Sequence, residues 1–287
     1  MKPSPFTYHR PHSADEAVEL LRAYGDSAKV LAGGQSLVPL MSMRLAAPEH
    51  LVDINRVEAL QSVEVGEDEV RVGAAVRHSR LERDEEVYGA VPLLRQGLVN
   101  VAHPAIRNRG TTVGSLVHAD PAAEMAAVLL LLDGVVELRS ATDSREVAAA
   151  DFFLGPMQSA TGPGELAVAA RFGRPPPGSG SAFVELSRRQ GDYAMCGVGA
   201  LVTTGQESEI TSAKVALVGV GDGPALVDVT SAAAGPGGAF REPQLAELLA
   251  SQIAPESDIH ASAEYRRHLA LVLTRRALGQ AHERAAA

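Results

Sequence analysis

The sequence predicts an α+β protein made of three successive units, and three observations carry that prediction. The first 56 or so residues alternate helical and strand patterns around a glycine pair. From Val63 onward the apolar residues recur at strand spacing, with turn signals between them. A Pro/Gly-rich tract from Arg171 to Gly180 then precedes a last segment whose strands come before its helices.

In the first unit, His12 to Leu21 reads as a helix. Ser13 followed by Glu16 is a capping-box pattern, Ala17, Leu20, Leu21 and Tyr24 form an apolar stripe, and Gly25 is a stop signal. Lys29 to Ala32 is a short strand, Ser36 to Leu45 is compatible with a helix interrupted near Pro48, and His50 to Ile54 is a second strand.

In the second unit, Val63 and Val65 face Val70 and Val72 across the turn Gly66-Glu67-Asp68, which predicts a hairpin. His78 to Glu85 and Pro92 to Ala102 read as helices, as does the strongly apolar Ala122 to Leu132. Val135 to Leu138 and Leu166 to Phe172 read as strands. The tract Arg171-Phe172-Gly173-Arg174-Pro175-Pro176-Pro177-Gly178 is the clearest linker. After it come strands at Ala182 to Arg188, Gly197 to Thr203 and Ser212 to Val220, then helices at Pro243 to Gln252 and Ser262 to Ala281. The resulting division is 1–173, with parts of about 1–56 and 57–173, a linker at 174–181, and a C-terminal domain at 182–287.

A chain that is 46% hydrophobic and 21% charged can bury a core, and its net charge of −9 argues against non-specific binding to nucleic acid or anionic membrane. No apolar run approaches the ~20 residues needed to span a bilayer, and Met1 to Phe6 carries no signal-peptide core, so a soluble cytoplasmic protein is expected. The single cysteine, Cys196, excludes an internal disulfide and an iron–sulfur cluster held by this chain alone. None of the nine histidines shows metal-ligand spacing.

Two stretches point to chemistry. Ala32-Gly33-Gly34-Gln35-Ser36-Leu37 follows a strand, where glycines let backbone N–H groups approach a ligand and form a nest for pyrophosphate oxygens; Gly-Gly also makes ordinary turns. About eighty residues later, Arg107 to Ser115 brings Gly110 and Gly114 together with the hydroxyls of Thr111 and Ser115. His118, Asp120 and Glu124 follow at the start of the apolar helix. That order of groups suits a ligand with a phosphate end, a polyhydroxyl middle and a flat apolar end, while Asp120-Pro121 and Glu124 are equally ordinary features of a helix start.

Taken together, Phe6-Thr7-Tyr8-His9-Arg10-Pro11, Leu31 to Leu37, Arg44-Leu45, Leu51-Val52-Asp53-Ile54, Gly114-Ser115-Leu116, His118 to Glu124 and Ser187-Arg188-Arg189-Gln190-Gly191-Asp192-Tyr193-Ala194 resemble the FAD-binding medium subunit of the molybdenum hydroxylases. That is the carbon monoxide dehydrogenase and xanthine dehydrogenase family, and the resemblance covers nearly the whole chain. It implies a two-part FAD-binding domain of the vanillyl-alcohol-oxidase/PCMH type followed by a small α+β domain with an antiparallel sheet and helices.

The resemblance also implies site residues. Lys29, Ala32, Gly33, Gly34, Gln35, Ser36 and Leu37 would surround the adenosine and pyrophosphate, with Thr111, Gly114 and Ser115 on the phosphates from the other side. His118, Asp120 and Glu124 would lie near the ribityl chain or the ring, Ala102 would belong to the same site, and Leu166 would lie near the adenine. Tyr193 would stand against the isoalloxazine; an ordinary strand aromatic is the other reading of that residue.

The family has two glycines where this chain has Val113-Gly114. A left-handed backbone there would strain Val113, and a modified loop path would change the roles of Thr111 and Thr112.

No acid/base pair or nucleophile stands out, so the implied role is electron transfer. A molybdopterin large subunit would oxidise the substrate, a small subunit with two [2Fe–2S] clusters would deliver electrons, and FAD on this chain would reduce an external acceptor. A heterotrimer dimerised to a heterohexamer is the implied assembly. The alternatives are a self-contained flavin oxidase or dehydrogenase, and a nucleotide-binding module without redox cycling.

Overall fold

A computed structural model describes residues 2–205, 209–233 and 239–286. The first unit comprises β1 (Thr7–His9), α1 (Ala14–Tyr24), β2 (Ala28–Leu31), α2 (Leu37–Ser42) and β3 (His50–Asp53), with the strands in a parallel sheet of order β1-β3-β2. α1 starts where its sequence says it should. The Ser13 hydroxyl accepts the Glu16 N–H at 3.1 Å, and the Glu16 carboxylate takes the N–H of His12, the residue before the cap. Gly25, at φ 50°, ends it. α2 is shorter than the expected Ser36 to Leu45, because Arg44 turns left-handed at φ 61° just after it.

The second unit is built on a five-stranded antiparallel sheet. It contains the hairpin β4 (Val63–Val65) and β5 (Glu69–Gly73), then α3 (His78–Arg83), α4 (Glu85–Ala90), α5 (Pro92–Leu98), α6 (Pro104–Arg107), α7 (Thr112–His118) and α8 (Glu124–Leu131). β6 (Val135–Arg139), β7 (Ser144–Ala148), α9 (Ala149–Phe152), the small pair β8 (Phe153–Gly155) and β9 (Gln158–Ser159), and β10 (Leu166–Gly173) complete it. The sheet order is β4-β5-β10-β6-β7. The helix expected over His78 to Glu85 breaks at Asp84, whose carboxylate caps α4 through the N–H groups of Glu86 and Val87.

The last unit is an antiparallel sheet of β11 (Ser179–Ser187), β12 (Ala194–Thr204), β13 (Ile210–Val218) and β14 (Ala225–Asp228), covered by α10 (Glu242–Ala250) and the long α11 (Ala263–Ala285). Here the linker differs from expectation. Ser179, Gly180 and Ser181 already belong to β11, and Arg174 is tied back to the first hairpin through Asp68 and Gly66.

α8 joins the second unit to the third. All eight of its residues are buried, as expected for a helix that is apolar on every side. It packs on α5 and α7 on one side and on β12 and β13 on the other. One hydrophobic core therefore runs from Val18 and Val72 through Leu129 to Phe183, Ala216 and Val218, and a second core lies between the last sheet and α10–α11.

Candidate functional site

The turn after β2 and the turn before α7 lie in contact. A β-carbon on Gly33 would come within 2.6 Å of the Gly110 Cα and 2.7 Å of the Arg109 carbonyl oxygen, so only glycine permits this approach. Gly34 follows at φ 72°, a left-handed conformation that reverses the chain into α2. Beside them, a β-carbon on Gly114 would stand 3.7 Å from that of Ala32. Gln35 folds back to donate to the Gly33 carbonyl, Ser36 and Leu37 begin α2, and Lys29 is exposed on β2. Among the described residues, nothing accepts a hydrogen bond from the backbone N–H of Gly33, Gly34, Gln35, Ser36 or Leu37.

Thr111 is the N-cap of α7, its hydroxyl accepting the Gly114 N–H at 3.2 Å. Val113 does not meet the strain its sequence position raised. It sits inside α7 with right-handed backbone and is 1% exposed in the core. Thr112 is likewise buried, hydrogen-bonded to His78 Nδ1 at 3.1 Å. Burial pushes His78 down to about 4, with Arg107 adding to the shift, so this imidazole is neutral near pH 7. Ser115 lies half-buried one turn into α7 and His118 ends it, before Ala119 turns left-handed at φ 52°.

At the far end, polar groups gather where the second and third units meet. The Pro121 carbonyl accepts the Gly219 N–H at 2.8 Å, fastening the Asp120–Glu124 turn to the end of β13. Glu124 is 8% exposed, and burial pushes its carboxyl up to about 7; its own backbone N–H and Arg107 oppose the shift and Asp120 adds to it. Opposite it on β11, Glu185 is pushed up to about 8, by burial first and by Glu124 second, and its Oε2 is buried without a hydrogen-bond partner. Gly191 packs on Ala102, which is left-handed at φ 44°, and on His103. This contact carries Tyr193, 69% exposed, toward Asp120 and Glu124, whose charges help partial desolvation raise its phenol pKa. Asp120, Tyr193, Arg188, Asp222, His260 and Arg266 are among the residues lining a cleft of about 680 Å³ there.

The structure thus brings Ala32 and Gly33 together with Thr111 and Gly114, and Tyr193 near Asp120 and Glu124. Leu166 is packed in the core at 2% exposure, and none of these contacts involves it. Sequence reasoning missed Asn55, Arg77, His78 and Glu185. The first three lack any motif of their own, and Glu185 reads as a polar position on a strand until the fold brings Glu124 near it.

Residues 4–173 match the FAD binding domain in molybdopterin dehydrogenase, and residues 181–281 match the CO dehydrogenase flavoprotein C-terminal domain. The chain belongs to the FAD-binding medium subunits of the molybdopterin hydroxylases. This medium-subunit chain is 36% identical to the 6-hydroxypseudooxynicotine dehydrogenase complex subunit alpha of Paenarthrobacter nicotinovorans, over 99% of the chain and 97% of that protein. It is 37% identical to the carbon monoxide dehydrogenase medium chain of Afipia carboxidovorans, over 99% of each. Among solved structures it resembles carbon monoxide dehydrogenase from Hydrogenophaga pseudoflava lacking the Mo-pyranopterin moiety, with a TM-score of 0.91, 33% identity and 99% of both chains covered. As an FAD-binding medium subunit, it is the flavoprotein component of an oxidoreductase with an α+β fold.

The residues present suit the FAD that the family name implies. A row of unengaged N–H groups beside a glycine contact matches anionic oxygens. At the other end, the buried Glu124 and the half-buried Glu185, both with raised pKa values, suit hydroxyl and ring-nitrogen partners.

Proposed function

We propose that this chain carries FAD between its two glycine loops and serves as the electron-transfer subunit of a multi-subunit molybdenum hydroxylase. The observation that carries the reading is the packing of Gly33 on Gly110, which sets a row of free backbone donors beside a second loop. In this reading the N–H groups from Gly33 to Leu37 bind the pyrophosphate, Thr111, Gly114 and Ser115 close on it from the other side, and Lys29 and Ala32 flank the adenosine. His118, Asp120 and Glu124 orient the ribityl chain, Ala102 supports the ring end through Gly191, and Tyr193 covers the ring face. Leu166 lines the adenine side only if the core around it opens.

Bound FAD supplies a centre that exchanges electrons one or two at a time. The chain's own part is to bind and orient it, and to hold the Glu124 and Glu185 carboxyls, whose pKa values burial raises, near its ring end. No nucleophile or metal is needed for that, and among the described residues no cluster of His, Cys, Asp or Glu is placed to hold a metal ion. Electrons would come from the [2Fe–2S] clusters of a partner small subunit, substrate oxidation would occur on a molybdopterin large subunit, and the trimer would pair into a heterohexamer. The domain division belongs to the same reading, with the first domain ending at about 173 and the last beginning at Ser179, where β11 starts. Among the described residues no helix is long and apolar enough to cross a membrane.

The test is an absorbance spectrum of the chain purified alone and again with co-expressed neighbours. Flavin bands in the first sample, joined by iron–sulfur absorbance in the second, are expected. A chain that neither holds nor takes up FAD overturns the reading. Substrate-driven flavin reduction by the isolated chain replaces it with a self-contained oxidase.

A further inference from the structure

Asn55 and Arg77 lie outside both glycine loops and connect them. The Asn55 Nδ2 donates to the Ala32 carbonyl at 2.8 Å, and its Oδ1 accepts from Arg77 Nη2 at 2.6 Å. The other arm of the guanidinium, Nη1, donates to the carbonyl of Arg109, the residue before Gly110. An unbroken line of hydrogen bonds thus runs from the first loop through two side chains to the second. The network also fixes the amide orientation, since only the NH₂ group can donate to Ala32 and only the oxygen can accept from an arginine.

The base of Arg77 is held as firmly as its head. Its backbone forms an isolated antiparallel bridge with Thr111, and the flanking His78 N–H donates to the Gly110 carbonyl at 3.0 Å. Among the described residues Arg77 makes no ion pair. It is half-buried, and burial and Arg109 lower its pKa while Asp53 acts the other way; a guanidinium remains charged regardless. A guanidinium with no direct ion pair among the described residues, its charge offset in part by nearby Asp53, therefore stands behind the point where the two loops meet.

We propose that Asn55 and Arg77 are positioning residues: they set the spacing of the two glycine loops and supply a positive charge behind them, and so determine affinity for the diphosphate of FAD. The proposal rests on the reading that the loops hold FAD. Bridging two carbonyl-bearing partners needs the planar fork of arginine, and a single ammonium reaches one of them at a time. The long-range attraction between the guanidinium and a diphosphate weakens with salt, whereas the geometric tie does not.

The experiment titrates the full-length apo chain with FAD and with ADP, which shares the diphosphate, for the parent and for Asn55→Ala, Arg77→Gln and Arg77→Lys. Binding is read by flavin fluorescence and calorimetry at two salt concentrations, with circular dichroism and melting of each apo variant alongside. Asn55→Ala and Arg77→Gln are expected to weaken both ligands by about tenfold, the scale of one lost charge-assisted hydrogen bond, with Arg77→Lys between them and the parent. Arg77→Gln alone should flatten the salt dependence. Folded Arg77 variants that hold both ligands within about twofold of the parent overturn the tie. Equal salt dependence in Arg77→Gln and the parent overturns the charge. A parent chain that binds neither FAD nor ADP overturns the underlying reading as well.

Discussion

The backbone of Gly33 rests on that of Gly110, so closely that a β-carbon at Gly33 would lie 2.6 Å from the Gly110 Cα. Two turns far apart in the sequence are thereby held as one surface, with the unengaged N–H groups of the first turn beside the second. Gly33→Ala forces the loops apart, because backbone on the facing side cannot rotate away as a side chain could. We expect flavin content of the purified chain to fall at least about tenfold, with a stability loss of about 1–3 kcal/mol from the overpacked contact. A Gly33→Ala chain that retains stoichiometric FAD would remove the significance given to this contact.

His78 makes the second loop sensitive to acid. Its imidazole is buried and held down to about 4 against an ordinary value of 6.5. The unfolded chain therefore takes up a proton that the folded chain refuses. Stability from this group is complete above about pH 6.5 and drains away as the pH falls toward 4. Between pH 7 and 5 the parent should lose about 1–2 kcal/mol through it, and His78→Gln should flatten that limb of the curve. Urea melts at the two pH values decide the matter, and identical slopes in both proteins would refute it.

Glu185 works in the opposite direction. Its folded value is raised to about 8 from 4.5, so between those limits the folded chain holds a proton that the unfolded chain has lost. Stability falls as the pH rises through this window, and the cost is fully present above pH 8. Glu185→Gln should stabilise the apo chain at pH 9 by about 1–2 kcal/mol, after allowance for solvent screening at its open side, and leave it unchanged at pH 4. Denaturation curves that show equal gains at both pH values would mean that packing, not charge, explains the effect.

Arg266 on α11 holds the segment behind Tyr193. It is 7% exposed and donates to the carbonyls of Met195 at 2.6 Å and Gly219 at 2.8 Å while pairing with Asp258 at 2.7 Å. Arg266→Ala leaves two carbonyls without their donor and should cost about 3 kcal/mol. Amide hydrogen exchange should quicken at residues 193–195 and 219 well before the rest of the sheet. Uniform exchange across the domain would assign Arg266 to general stability alone.

Much of this was legible in the sequence, for reasons visible in particular residues. The Ser13/Glu16 cap, the Val63–Val72 hairpin and the apolar run of α8 are local signals, and each element lies where its pattern placed it within a few residues. Strands β7, β8, β9 and β14 were not legible. They are short or mostly exposed, so their pairing partners, not their own patterns, create them. The glycine loops were recognisable as loops, but their contact was not, because it depends on the path of the chain through β3, α3 and α6. Asn55 and Arg77 were invisible for the same reason: single polar residues acquire their role only when two turns converge on them. From the sequence Val113 allows either a strained or a modified loop, and the answer, a right-handed position inside a helix, depends on where α7 begins.

α8 presents one flank to the core of the second unit and the other to β12 and β13, and Phe183, Ala216 and Val218 belong to the same core as Leu129. Melting one lobe would strip that helix of half its packing and expose a continuous oily face. The two lobes therefore cannot come apart independently: heat or urea should take the chain down in one cooperative step, and proteolytic nicking near Pro176 should yield no free-standing halves.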